Sequence, residues 1–465
     1  METFFESKWS GRVAVLALMV SVLLVYSNTL HSAFQFDDLP NIVKNDRIKD
    51  LGNIPAILRG QRGVTALTFA VNYALGGVDT FGYHLVNVSI HIINGVLVYL
   101  LLVNTFTLAG AALSWSRKAS AFSALVFALH PVQTQAVTYI VQRMESLSSL
   151  FYLLALLLFV KAAKVPGAVK RLFLYALVGL SYILGFYSKE TALTLPAVIL
   201  LYDVFFISEG GEGRVRSVLT RWPVYVMLVI LLGVFTVKRV VPMGGFNDLS
   251  EESMAAEAAP AEEAGLRPAA PPLAGGGPDE VVSKAPDTSA PPLKEESRKP
   301  ARKRPRSAGF SLKTISPAQY LMTQSNVLLY YYSLLLVPIN QNLDYDFPVS
   351  RALFETPRAA AGAILNIPLP PPAVSIVIHL FVLALALYLY LRSLKQGSFR
   401  LRAVSFFIFW FFIILSPTSS FIPIIDVIYE HRLYLPSLAF SVILVICAEA
   451  VFSRVFEKRG PAGLA

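Results

Sequence analysis

Two adjacent carboxylates, Asp37 and Asp38, lie between aromatic residues just beyond the first long apolar run. A carboxylate pair at the edge of a membrane can take a proton from an acceptor hydroxyl, one acid acting as general base while the other orients it or the substrate. The alternative is that the pair caps a short helix starting near Pro40. A second set of residues carries positive charge. Lys189 and Arg432 have the reach and charge to grip a phosphate, with His431 and Arg143 as further candidates. Each also has a plainer role. Lys189-Glu190 suits the dipoles of two consecutive helices, and Arg432, between Tyr429 and Tyr434, suits an interfacial anchor. Glu190, Glu430, His130, His84, Asn87 and Tyr434 complete the candidates as lining of a substrate cavity.

The elements that must hold these residues follow from composition. Hydrophobic residues make up 55% of the 465 and charged residues 15%, with the apolar residues in long blocks, so an integral membrane protein is expected. The single cysteine, Cys447, excludes an internal disulfide or a cysteine-rich metal site. Lys8 and Arg12 precede an apolar run without a clear small-residue cleavage site, which reads as a retained helix rather than a leader. Spans are expected at 11–30, 82–106, 119–131, 146–163, 171–187, 192–207, 222–241, 373–392, 403–421 and 436–453. Arg117/Lys118, Lys161/Lys164/Lys170/Arg171, Arg214/Arg216/Arg221, Arg392/Lys395/Arg400/Arg402 and Arg454/Lys458/Arg459 then fall on one side, which the positive-inside rule makes cytoplasmic, with both termini there. The formal net charge of +10 is read as this bias, not as a nucleic-acid surface.

The other side receives the chemically capable segments: the first outer loop (31–65), His130-Pro131, Ser188 to Thr191, and Asp426 to Tyr434. The expected organisation is an N-terminal membrane part (1–242), a disordered Pro/Ala/charge-rich insertion (243–312), an outer-face interfacial segment (313–372) and C-terminal membrane helices (373–465). The helix of Gln319–Asn340 should lie in the interface with Tyr330, Tyr331 and Tyr332 at headgroup level. Asp344 and Asp346 have the spacing of a metal pair but also of an ordinary turn. Inside the membrane, His84, Asn87, His91 and Asn94 share one helix face, and Gln135, Tyr139, Gln142, Ser146 and Ser149 another. Such stripes serve helix-to-helix hydrogen bonding or line a wet cavity. No metal site is expected on His84 and His91, which are two turns apart.

An ordered set of short motifs carries a family resemblance. It runs Phe36-Asp37-Asp38, Asn72 to Gly77, Phe81 to Asn87, Ala128 to Pro131, Ser188 to Ala192, Asn342 to Phe347, Ser416 to Ser420 and Glu430 to Pro436. In this order the motifs resemble the membrane half of the transmembrane and tetratricopeptide-repeat (TMTC-like) O-mannosyltransferase family, of the C-type glycosyltransferase (GT-C) fold. The resemblance implies an all-α polytopic fold and transfer of a hexose, mannose by the family name, from a polyprenyl- or dolichyl-phosphate donor. The acceptor would be a hydroxyl of an exported protein or a glycan, on the extracytoplasmic face, with no cofactor or metal. It maps the base onto Asp37 or Asp38. The expected location is a multi-pass protein of a bacterial inner membrane, facing the periplasm. The family's repeat array is not in this sequence, so a separate acceptor-recruiting partner is expected. Gln133 and Gln135 stand where the family pattern has His and Glu. The rival classes are a lipid-linked-sugar transporter, for which no paired repeats are visible, and a non-catalytic membrane partner.

Overall fold

The computed structural model describes residues 7–208, 213–240, 315–358, 365, 367–424 and 426–457, which form one compact unit. The stretch 243–312 lies outside the described residues. Those described are helical or looped, with no strand among them.

The apolar runs become helices where turn chemistry stops and starts them. Helix α1 (Lys8–Tyr26) begins where the Ser7 hydroxyl accepts the Trp9 N–H. Helix α2 (Gly63–Gly76) ends at Gly77, and α3 (Thr80–Leu108) begins where Asp79 accepts from Phe81 N–H. There follow α4 (Leu113–Leu129), α5 (Arg143–Lys164), α6 (Ala168–Phe186), α7 (Leu195–Tyr202), α8 (Trp222–Val240), α9 (Pro317–Leu336), α10 (Pro372–Gln396), α11 (Phe399–Leu415) and α12 (Ser437–Glu457). A capping box between Ser316 and Gln319 opens α9, and Gly397, at φ 63°, closes α10 in the left-handed conformation open to glycine.

Seven helical segments among the described residues are long and apolar enough to cross a membrane, so the chain is a multi-pass membrane protein. They coincide with seven of the ten expected spans. The other three positions hold α4, α8 and α11, of 17, 19 and 17 residues. Helices associate in lipid by close packing and hydrogen bonds rather than by escape from water. Both devices are present. A Cβ on Gly95 of α3 would lie 2.9 Å from Leu18 of α1, so those helices touch there. The hydroxyls of Thr105 on α3 and Tyr202 on α7 share a hydrogen bond at 2.8 Å, and Tyr202, Phe406 and Trp410 interlock between α7 and α11.

Two expectations change. The polar stripe 135–149 does not run along one helix. The chain turns after His130, forms the short helix Thr134–Thr138 and a turn over Ile140–Gln142, and only then enters α5. Pro131, which supplies no backbone N–H, sits at that turn. Two of the three tyrosines of α9 do not face an interface: Tyr330 and Tyr331 are fully buried, with Tyr331 donating to the Tyr429 carbonyl at 2.8 Å, while Tyr332 is half-buried.

Candidate active site

The loop 31–65 is pinned at several points. His84 Nε2 on α3 bonds the Ser32 carbonyl at 3.0 Å. Phe36 adopts φ 39°, a left-handed conformation uncommon for a bulky side chain, immediately before the two acids. The Asp37 N–H donates to the Tyr139 hydroxyl at 2.8 Å. Asp38 Oδ2 accepts the Gln35 N–H at 3.0 Å and Oδ1 the Val141 N–H at 2.7 Å. Asp38 therefore does not cap the helical turn that follows it; it stitches the loop to the segment leading into α5. The two acids are thus different groups. Asp38 is 1% exposed, while Asp37 is exposed. Burial pushes the Asp38 carboxyl up to about 6, and the charge of Asp37 adds to this. Its two backbone N–H bonds and Arg143 work the other way.

A cationic group lies where α5, α6 and α7 meet the loop 31–65. Lys189 Nζ pairs with Glu145 Oε2 at 2.8 Å, and Arg62 Nη2 with Glu190 Oε2 at 3.2 Å. Thr191 donates to the same Glu145 oxygen at 3.3 Å. Burial pulls the Lys189 ammonium below its ordinary range, against the pull of Glu145. This group is not saturated: Glu145 Oε1 and Arg62 Nε are buried without hydrogen-bond partners among the described residues. Arg62 shares its loop with Lys44, Arg47, Lys49 and Arg59, so residue type alone did not single it out.

His431 is held by Gln135, whose Oε1 accepts both the His431 N–H (2.6 Å) and Nδ1 (3.0 Å). A ring proton on Nδ1 leaves Nε2 as an acceptor. Burial, then the charges of Lys189, Arg432 and Arg62, hold the imidazole well below its ordinary range and hence neutral. Neutral, the ring offers a hydrogen-bonding nitrogen and no positive charge. The His431 ring stacks on Tyr429 with centroids 4.9 Å apart. The Tyr429 phenol bonds Asp426 and feels the charge of Asp37. Two stacked rings, Tyr429 beside the charge of Asp37 and His431 beside those of Lys189 and Arg62, thus link the two groups.

Several other candidates are engaged within the bundle or its loops. Arg143 is fully buried, its Nε on Asn87 Oδ1 (2.6 Å), Nη1 on Asn72 Oδ1 (2.6 Å) and Thr68 (3.1 Å), and Nη2 on the Tyr83 carbonyl (2.9 Å). It staples α2 and α3 to α5 and presents no fork to a phosphate. Arg432 Nη2 and Nη1 hold the carbonyls of Asp426 and Val427 at 2.7 and 3.1 Å, which shapes its own loop. Tyr434 is buried against His91 (2.7 Å) and Asn94 (2.9 Å). Asn87 reaches the Val137 and Ile140 carbonyls besides Arg143, and both His130 nitrogens are occupied by Leu335 O and Val132 N–H. These residues, with His84, build the site from behind and do not line its cavity.

A cavity of about 320 Å³ opens between the loop 31–65, the helix Thr134–Thr138 and the loop after α9. Asp38, Gln35, Gln135, Tyr139, Asn342 and Glu430 are among its walls. Among the described residues that line it none is basic. Its carboxyls, neutral amides and hydroxyls suit a polyhydroxylic ligand, not a phosphate. Glu430, 2% exposed, accepts from Gln341 Nε2 (2.6 Å), the Asn342 N–H (2.7 Å) and the Tyr345 hydroxyl, and so fixes the cavity's far wall. Burial raises its carboxyl above the ordinary value. Glu190 stands outside this cavity, half-buried and paired with Arg62. Asp344 and Asp346 are both exposed to solvent.

The chain is 33% identical over 219 residues to the protein O-mannosyl-transferase tmtc2 of Xenopus laevis, covering 42% of this chain and 24% of that protein. It is 29% identical over 224 residues to the protein O-mannosyl-transferase Tmtc3 of Drosophila melanogaster, again 42% and 24%. The chain carries a TMTC-like membrane domain. The human protein O-mannosyl-transferase TMTC4 is 28% identical over 215 residues, covering 40% of this chain and 28% of that protein. The chain thus spans about a quarter of the length of the curated relatives it matches. No family model matches the chain, and no solved structure matches it.

Proposed function

We propose that this TMTC-like domain is a GT-C-type glycosyltransferase with ten spans. It moves a hexose, mannose in our reading, from a polyprenyl- or dolichyl-phosphate donor to an acceptor hydroxyl on the extracytoplasmic face. In a bacterial inner membrane, the location we propose, that is the periplasmic face. The relatives are named protein O-mannosyl-transferases, which favours a Ser/Thr hydroxyl of a protein acceptor. The observation that carries the reading is an exposed carboxylate, Asp37, beside a polar cavity walled by Asp38 and Glu430, with the stacked rings of Tyr429 and His431 running from the charge of Asp37 to those of Lys189 and Arg62.

In this mechanism Asp37 is the general base, because it is the accessible acid on the side of Tyr429; Asp38 positions it from below. The acceptor hydroxyl gives its proton to Asp37, and its oxygen attacks the anomeric carbon from the face opposite the phosphate. The bond from that carbon to the phosphate oxygen breaks, and the lipid phosphate leaves with the electron pair and inverted stereochemistry at the sugar. Lys189 and Arg62 meet the growing negative charge. His431 Nε2 accepts a hydrogen bond from a sugar hydroxyl. The test is turnover by purified protein in detergent with polyprenyl-phosphate mannose and a Ser/Thr peptide. We expect mannosyl peptide of inverted anomeric configuration together with released lipid phosphate. Donor that binds but never turns over with peptide or glycan acceptors contradicts the proposal and favours a transporter or non-catalytic partner.

A further inference from the structure

The end of the bundle away from Asp37 carries a second cavity, of about 530 Å³, between α1, α3 and the start of α4. Arg12 lies 14 residues before the end of α1, roughly 20 Å along the helix from the outer loop, so this cavity is separate from the candidate active site. Its walls divide by chemistry. Leu16, Met19 and Leu100 form an apolar trough; Arg12, Arg117 and Asn104 stand at its mouth. Lys164 Nζ reaches Asn104 Oδ1 at 3.1 Å and adds a third positive charge. Arg12 has no ion pair among the described residues and lies 5.0 Å from the Trp9 ring centre. Trp9, 64% exposed, marks the depth at which an indole sits between headgroups and acyl chains. Only 22% of the α1 window is buried in the bundle, and Leu16 is 60% exposed, so the trough opens sideways, toward lipid.

We propose that this groove binds one anionic phospholipid of the surrounding leaflet. The phosphate sits between Arg12 and Arg117, and an acyl chain lies along Leu16, Met19 and Leu100. Cations clustered at headgroup depth above an apolar trough match an anionic headgroup and its chain together. A free anion would use only the mouth. Site occupancy would also brace α1, the helix that leads into the Asp37 loop, though the proposal stands without the enzymatic reading.

The experiment is native mass spectrometry of the delipidated full chain in detergent, titrated with phosphatidylglycerol or with phosphatidylcholine. We expect one phosphatidylglycerol retained at about tenfold lower concentration than phosphatidylcholine, and no displacement by excess inorganic phosphate. Arg12→Gln should erase most of that preference, Arg12→Gln/Arg117→Gln all of it. Leu16→Trp, which fills the trough at an exposed position and keeps both arginines, should weaken phosphatidylglycerol retention to a similar degree. Lys170→Gln, outside the groove, should leave the preference unchanged. Equal retention of the two lipids by the wild type, displacement by phosphate, an unaltered preference in Arg12→Gln, or unaltered phosphatidylglycerol retention in Leu16→Trp would overturn the proposal.

Discussion

Buried charge is handled in opposite ways at two places in this molecule. Near the base of α7, Asp203 accepts from Arg221 through both carboxylate oxygens (2.6 and 2.5 Å), from Ser208 at 2.7 Å and from Tyr225. Arg221 also reaches Ser208 and Ser217. Both carboxylate oxygens are engaged, as expected where a buried pair serves only to lock chain segments together. At the end of the bundle near Asp37, Lys189 and Glu145 are also a buried pair, but among the described residues Glu145 keeps one oxygen unpartnered, the neighbouring Arg62 keeps Nε unpartnered, and the Arg62–Glu190 pair is half in solvent. Unfilled polar groups in a buried setting call for an explanation, and room for a charged substrate supplies one. The contrast separates charge that builds from charge that waits.

The largest effects should come from breaking each pair. Lys189→Met leaves Glu145 as an uncompensated buried acid and Asp203→Asn weakens the Arg221 clamp; each should lower stability, by up to roughly 3–5 kcal/mol where a bare charge remains. The difference lies in the rescue. Lys189→Met/Glu145→Gln should recover much of the stability in denaturant or thermal unfolding while transfer stays down by about 10²-fold or more. Asp203→Leu/Arg221→Met should recover stability with kcat/KM near wild type. If both double variants behave alike, the contrast is lost.

Next comes the pH dependence of Asp38. Its carboxyl, pushed up to about 6 against an ordinary ~3.9, holds its proton more tightly folded than unfolded. Its stabilising contribution is therefore complete below about pH 4 and is lost as pH rises through about 6, a change of roughly 3 kcal/mol. The difference in Tm between wild type and Asp38→Asn should shift across that window. Parallel curves would show that Asp38 is not the buried acid described.

The smallest effect belongs to Arg62. Because its partner Glu190 is partly solvated, Arg62→Gln should change stability by less than about 1 kcal/mol. It should raise the KM for donor by about tenfold, with Glu190→Gln much closer to wild type. A stability loss without a KM change would place Arg62 with Asp203 and Arg221.

The helices were legible because apolar blocks have to become helices in lipid, and the Asp37-Asp38 loop because two acids beside a span are conspicuous. The division of labour between the acids was not, since it depends on the Val141 N–H, more than a hundred residues away. Nor was the fate of Arg143. Its four acceptors come from Thr68 and Asn72 on α2 and Tyr83 and Asn87 on α3, and no spacing along the chain announces that convergence. Arg62 was hidden among other loop cations. The break before α5 was hidden because 135–149 keeps a helical polar period across it.

The central claim is that Asp37 takes the acceptor's proton while Lys189 and Arg62 hold the donor. It is tested most directly by measuring polyprenyl-phosphate mannose binding and single-turnover transfer side by side in wild type and Asp37→Asn. The account predicts donor affinity within about twofold of wild type and transfer slowed by roughly 10²- to 10⁴-fold. Transfer at the wild-type rate in Asp37→Asn, with donor bound, would contradict it.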